Sequence, residues 1–479
     1  MRRRRPAQPL RAAALAVAAL CASAAPALAA RAPEVLWAEP FVVRRGETVR
    51  LAVAGRRLPA QADVTVLDGG RADRSIAVVE WERRSGRRAH LTLEIAADAA
   101  VGLRGLDLGL AAAVPLTQTV AFRVAEAVRL PWPHEPPGAS PQELEELRDS
   151  VFVINDFGLY QASGVRSQSY LHDGLDLVLP QGTPVRSLAD GIVRDVFFPD
   201  QVGSRSIAVE DLDRPGFGWI YVHTDRFRHS VGDLVRRGER IAEIAAFDGL
   251  EHLHLSRTFV PEGTSWSLLP SHHNHFADDL FEIRDEEPPT IERRLWVFRN
   301  QASELLPSAG GRPVASGDVD LVVGIRDGGH YAHSQDPTFL PGVGNRLAPA
   351  VVRCEVLDRR GRRVAQWTRD LTRTVLRWEE GQTSIWAPER VAVVYKSHLD
   401  VPGAQSGGPF PPYFVLTNSD GIHPIGVVRP ADAAHAWRTA ADDEAGERLF
   451  PNGRYTVRVT AWDSVGNRAT RTRRVVVRN

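Results

Sequence analysis

A chain of 479 residues exceeds one ordinary domain and suggests roughly three. With 43% hydrophobic and 25% charged residues, wholesale disorder is excluded. Lys+Arg and Asp+Glu both number 59, a balance that argues against a nucleic-acid binder, which carries a basic surplus. Cys21 and Cys354 are the only cysteines, so a disulfide scaffold and Cys-rich metal sites are excluded. Lys396 is the only lysine, which excludes a Walker-type phosphate loop.

Residues 1–29 read as a secretory signal peptide. Arg2 to Arg5 form a basic start, an Ala/Leu/Val run covers 12–25, and Ala27-Leu28-Ala29 fits a small-x-small cleavage site. Cleavage removes five Arg and no acid and leaves Cys354 alone, so packing must hold the rest together. No other stretch is long and apolar enough to span a membrane, so no integral membrane segment is expected after cleavage. Residues 31–128 carry short alternating runs, at 63–67, 75–81, 90–95 and 119–124, separated by turn chemistry such as Asp68-Gly69-Gly70. That pattern predicts an antiparallel β-sandwich.

The proline-rich stretch 131–141 predicts a joint, and Gln142 to Ser150 a short helix. The segment 142–285 comes next, and a second joint at Asp285-Glu286-Glu287-Pro288-Pro289 follows it. Modules that fold independently are expected on either side of such joints. Residues 290–479 are again strand-like and end in a predicted hairpin, Arg454 to Trp462 and Arg468 to Val477 around Asp463-Ser464-Val465-Gly466-Asn467. The turn-rich stretches near 326–350 and 402–450 have no readable placement.

The middle segment carries the chemistry. Its pieces are His172-Asp173-Gly174-Leu175-Asp176, then Tyr221-Val222-His223, then Glu251-His252-Leu253-His254-Leu255. On a strand, side chains at i and i+2 or i+4 share a face. His172 and Asp176 can therefore converge, with His252 and His254 on a face beside them. Zinc accepts this mix of imidazole nitrogen and carboxylate oxygen, and a catalytic site leaves its fourth position to water. Between the pieces run Gly182-Thr183-Pro184-Val185, Ala189-Asp190-Gly191 and Val231-Gly232-Asp233-Leu234-Val235, with Gly238-Glu239-Arg240-Ile241 after them. These read as short strands joined by Gly and Pro turns. A biotinyl or lipoyl carrier shares that pattern but needs a lysine on a hairpin turn, and this segment has none.

In the order of these motifs, residues 152–260 resemble the LytM/lysostaphin-type zinc endopeptidases, a family of peptidoglycan hydrolases. The resemblance implies an antiparallel β-rich peptidase domain at 142–285; with the alternating strands on either side, the chain reads as mainly β, that domain flanked by two β-sandwich (Ig-like) modules at 31–128 and 290–479. It implies one zinc per chain held by His172, Asp176 and His254, with His252 and His223 as catalytic non-ligand histidines. It also implies a peptidoglycan substrate, action in the periplasm or cell envelope, and the prospect of a wall-associated protein partner. The chain departs from the family in Phe247-Asp248-Gly249-Leu250-Glu251, which is poor in Gly, and in Leu255-Ser256, where relatives often carry Phe and Glu. The competing class is a non-catalytic LytM-like wall-binding protein that regulates another hydrolase; the five retained positions argue against it.

Other candidates read as ordinary structure. Asp173 is expected on the opposite strand face as a solvated carboxylate. His273 and His275, and His330, His333 and Asp336, are expected in polar loops. Trp37, Trp81, Trp378 and Trp386 are expected in sandwich cores rather than on a glycan surface.

Overall fold

The computed structural model describes residues 33–479 except 110–119, 127–129, 150–151, 163–168, 201–204, 247–250, 267–270, 274–280, 282–284, 328–346, 372–374, 378–387, 405–411, 420–433 and 443–445. The expected signal peptide and the candidates His275, His330, His333, Asp336, Trp378 and Trp386 lie outside the described residues. The protein is mainly β, and its described strands pair almost entirely antiparallel. Among the described residues no helix is long and apolar enough to cross a membrane. The chain forms two compact units, one ending at Val124 and one running from Ala125 to Asn479.

In the first unit, alternation along Thr48–Arg56 and Arg88–Ile95 turns Leu51, Val53, Leu91 and Leu93 inward. These strands join Glu34–Glu39 and Ile76–Ser85 in one antiparallel sheet. A second sheet contributes Val66, Leu106 and Phe122 to the same core, which makes a β-sandwich. Trp81 packs half-buried against this core, and its indole N–H donates to the Pro59 carbonyl at 3.3 Å. Trp37 is half-buried in its strand.

The second unit is built on a long antiparallel sheet. Its order is Phe152–Asn155, Leu175–Val178, His252–Phe259, Phe217–Val222, Ser206–Asp211, Gly191–Phe197, Leu234–Val235. Leu175, Leu177, Leu253, Leu255 and Tyr221 fill one core with Val193, Ile207 and Val209. The residues alternating with them, Asp176, His252 and His254, are thereby fixed on the other face. A one-residue slip would exchange the two sets, so the apolar pattern also specifies where the polar residues point.

The stretch 131–141, expected as a joint, is packed structure. Trp132 is buried and stacks on Phe281 with ring centroids 4.4 Å apart, and the Pro133 carbonyl accepts from the Arg186 N–H at 2.7 Å. Proline removes a donor but leaves carbonyls and apolar surface, and both are used here. A helix, Pro141–Asp149, follows the Ser140 N-cap. The Ser140 N–H donates to Glu143 Oε2 at 2.8 Å and the Glu143 N–H to Ser140 Oγ at 3.3 Å, a capping box.

The C-terminal region is also two sheets over one core. One holds Asp318–Arg326, Trp296–Arg299 and Tyr413–Val415; the other holds Val351–Leu357, Gly453–Trp462 and Arg468–Val477. The expected terminal hairpin is present, paired from Gly453↔Val477 to Trp462↔Arg468. Packing is continuous across the second proline-rich joint. Phe157, Leu159, Tyr160 and Leu171, which precede the first His of the middle segment, belong to the C-terminal core with Tyr395, Phe414 and Val457. Ser271–His273 pairs with both His252–Phe259 and Val375–Arg377, which carries the backbone ladder from one part to the other. A sequence reading counts those four apolar residues toward the nearest core in the chain, and only the fold assigns them elsewhere.

Candidate active site

Three strands and one turn bring the site together. Asp176 pairs directly with His254, and His254 with Val222 on its other side. His223 follows Val222 in the left-handed region, at φ 62°, its carbonyl accepting from the Ala245 N–H at 2.9 Å. That conformation costs a non-glycine residue energy and turns the side chain out of the strand. The His223 ring lies 4.4 Å from the His252 ring and 6.1 Å from the His254 ring, centroid to centroid.

His172 and Asp176 do not lie on one strand, as the spacing suggested. Ser169–Leu171 ends before His172, and Leu175–Val178 begins after a bend at Gly174. A Cβ at Gly174 would meet His254 Nε2 at 2.6 Å and the Leu255 carbonyl at 2.6 Å, so only glycine lets the bend close on that ring. The bend also corrects the reading of Asp173. Strand alternation fails there, and its Oδ1 lies 3.5 Å from His254 Nε2 instead of facing away.

His172 Nε2 lies 3.1 Å from His254 Nδ1 and 3.2 Å from Asp176 Oδ2; His254 Nδ1 lies 2.8 Å from Asp176 Oδ1. The remaining ring atoms are engaged elsewhere. His172 Nδ1 lies 3.0 Å from the Asp156 carbonyl, which can only accept, so Nδ1 carries its hydrogen and Nε2 faces the cluster. Ser256 Oγ donates to the Asp173 carbonyl at 3.0 Å and accepts from His254 Nε2 at 3.0 Å, which leaves Nδ1 to the cluster. The Asn155 amide donates to Asp176 Oδ2 at 2.6 Å and orients the carboxylate. Two ring nitrogens and a carboxylate thus meet at one point, the arrangement that a metal's outer partners impose on its ligands.

Electrostatics agree with that reading. Burial works against a charge on His172, but the Asp176 carboxylate outweighs it and pushes the ring's pKa up to about 9. Burial works equally against the Asp176 charge, yet His172 and His254 hold it well below the usual carboxylate range. Three donors this close need a cation or a proton between them. Tetrahedral zinc with ligands at about 2.0–2.2 Å sets its donors roughly 3.3 Å apart, near the spacings seen here, so the residues fit that ion.

His252 is buried beside the cluster, its Nε2 3.9 Å from Asp176 Oδ1, and His223 is half-buried over it. All five residues singled out by sequence therefore meet at one place. Asn155, Asp156 and Ser256 were not foreseen. Ser256 could have been, since it stands two residues after His254 on the same strand face. In the C-terminal region, carboxylate oxygens of Asp285, Asp327 and Asp463 lie within 4.8 Å of one another, and burial together with the Asp285 charge pushes Asp463 up to about 7. The Gly-poor run at 247–250 and the side chain of His273 lie outside the described residues.

Comparison with known proteins places this site in a family. Residues 170–262 match the model of peptidase family M23. The glycyl-glycine endopeptidase ALE-1 of Staphylococcus capitis is 31% identical over 88 residues, 18% of this chain and 24% of that protein. The DD-carboxypeptidase/endopeptidase Mpg of Neisseria meningitidis serogroup B is 33% identical over 94 residues, 20% of this chain and 21% of its own length. The chain thus spans about a quarter or less of the curated relatives it matches. The solved structure of LytU is 29% identical and covers 23% of this chain and 75% of its own, with a TM-score of 0.20. The segment carrying the histidines is an M23 peptidase domain of the LytM/lysostaphin type.

Proposed function

We propose that this protein is a secreted zinc metalloendopeptidase that hydrolyses peptide bonds in bacterial peptidoglycan, in the stem peptides or their crosslinks. The observation that carries this reading is the meeting of His172 Nε2, Asp176 and His254 Nδ1, with every other polar atom of the two rings already engaged. His172, Asp176 and His254 would hold the ion. Bound zinc supplies a Lewis acid for the scissile carbonyl and lowers the pKa of water to near 7. His252 and His223 flank the three donors without joining them, which suits one for taking a proton and the other for donating a hydrogen bond to the oxyanion. Asp156 and Ser256 fix the ring tautomers, and Asn155 fixes the carboxylate.

The wall substrate is supported by the relatives, whose names specify a glycyl-glycine endopeptidase and a DD-carboxypeptidase/endopeptidase. The signal-like residues 1–29 support action in the periplasm or cell envelope. The flanking β-sandwich regions would position the domain on the wall or cover its groove. The purified chain lacking residues 1–29 should release peptide fragments from isolated cell walls, read by mass spectrometry, and a chelator should stop the release. Release that continues unchanged after metal removal would exclude this chemistry. Zinc-free chain that binds walls and releases nothing would instead favour a regulator.

A further inference from the structure

The turn that carries His172 is held from outside the peptidase domain. The His172 N–H donates to the Leu159 carbonyl at 2.9 Å, and its carbonyl accepts from the Gly158 N–H at 2.7 Å. The turn 156–159 is therefore the backbone partner of His172, and through the Asp156 carbonyl it also fixes the ring. The far side of this turn belongs to the C-terminal region. The Tyr395 hydroxyl, fully buried, donates to the Gly158 carbonyl at 2.7 Å. The Ala348 N–H donates to the Asp156 carboxylate, at 3.2 Å from Oδ1 and 3.1 Å from Oδ2. Phe157, Leu159 and Leu171, flanking these contacts, are anchored in the C-terminal core and not in the peptidase core.

We propose that the C-terminal region is a positioning part of the metal site. In this arrangement Tyr395 and Ala348 hold the turn 156–159, and through it His172, where Nε2 can join Asp176 and His254. Asp176 and His254 are positioned by the peptidase sheet itself, so of the three donors His172 alone depends on the second core. Tyr395 acts through the Gly158 carbonyl and touches no donor, so it is a positioning residue and not a catalytic one. The inference rests on the proposed zinc chemistry, but its test is separable from it.

The experiment uses the full chain. Tyr395→Phe removes one hydroxyl and leaves the ring; Tyr413→Phe, in a neighbouring cluster of the same region, is the control. Zinc affinity is measured by chelator competition, the visible spectrum is recorded after cobalt substitution, and thermal midpoints are taken for each variant. Partners that orient metal ligands are typically worth 10–100-fold in affinity. Tyr395→Phe is expected to weaken zinc at least several-fold and alter the cobalt spectrum, while Tyr413→Phe changes neither. Gly158→Ala strains the same turn from the peptidase side at φ 78°, with open space around the added carbon, and is expected to weaken zinc likewise. Wild-type affinity and spectrum in folded Tyr395→Phe would overturn the proposal and leave the zinc reading intact. If Tyr395→Phe does not fold, unchanged affinity in folded Gly158→Ala overturns it. A parent chain that binds no zinc would overturn both.

Discussion

His172 Nε2 and His254 Nδ1 lie 3.1 Å apart, although the chain between them runs through five strands of the same sheet. The Asp156 carbonyl holds the opposite nitrogen of His172, and Ser256 Oγ that of His254.

Ser256→Ala removes the acceptor for His254 Nε2. It should weaken zinc by about 10–100-fold while the fold keeps its stability within about 1–3 kcal/mol. Gly174→Ala should act more severely, because its Cβ would meet the His254 ring and the Leu255 carbonyl together. Isothermal titration with zinc and thermal melting of the metal-free variants check both. Unchanged affinity in Ser256→Ala would show that the tautomer of His254 does not depend on this hydroxyl.

His223→Ala and His252→Ala should retain zinc and lose turnover by about 10²–10⁴-fold, the usual worth of general acid–base help. Zinc content and the rate of fragment release are measured on the same preparations. A variant that loses its metal would make that histidine a ligand.

Zinc binding should release protons and weaken in acid. The Asp176 carboxylate keeps His172 protonated below about 9 in the metal-free site, with burial opposing it, and a ligand nitrogen must be deprotonated. The sign is therefore fixed: as pH falls below about 9, each unit lowers apparent affinity by up to tenfold through this ring. Titrations in two buffers of different ionisation enthalpy give the proton count. Zero release at pH 7 would contradict the proton held between His172 and Asp176.

The strand pattern, the terminal hairpin and the meeting of His172, Asp176, His223, His252 and His254 were legible in sequence, because period-two alternation and short motifs are local signals. Leu253 and Leu255 point inward, so His252 and His254 had to share the other face. The bend at Gly174 was not legible, which is why Asp173 was expected to face away. Nor was the assignment of Trp132 to the peptidase core, or of Phe157, Leu159, Tyr160 and Leu171 to the C-terminal core, since proline density and proximity in the chain say nothing about which apolar surface covers which.

A segment cut at 142–287 should therefore fold poorly. It loses Trp132 from under Phe281 and leaves Phe157, Leu159, Tyr160 and Leu171 without their cover. Burying one such side chain is worth roughly 1.5–3 kcal/mol, and several together rival the 5–15 kcal/mol that holds a domain folded. Expression of the cut segment beside a chain from Ala125 to Asn479, with melting followed by circular dichroism, is the check. Equal melting temperatures would show that the C-terminal core contributes nothing to the peptidase domain.

The most direct test of the account is His254→Ala in the full chain, assayed together for bound zinc and for peptide release from isolated cell walls. The parent should carry about one zinc and release fragments; the variant should lose both. Full zinc occupancy in the variant would contradict the site described here and move the metal to other ligands, with the His273 and His275 pair the first to examine.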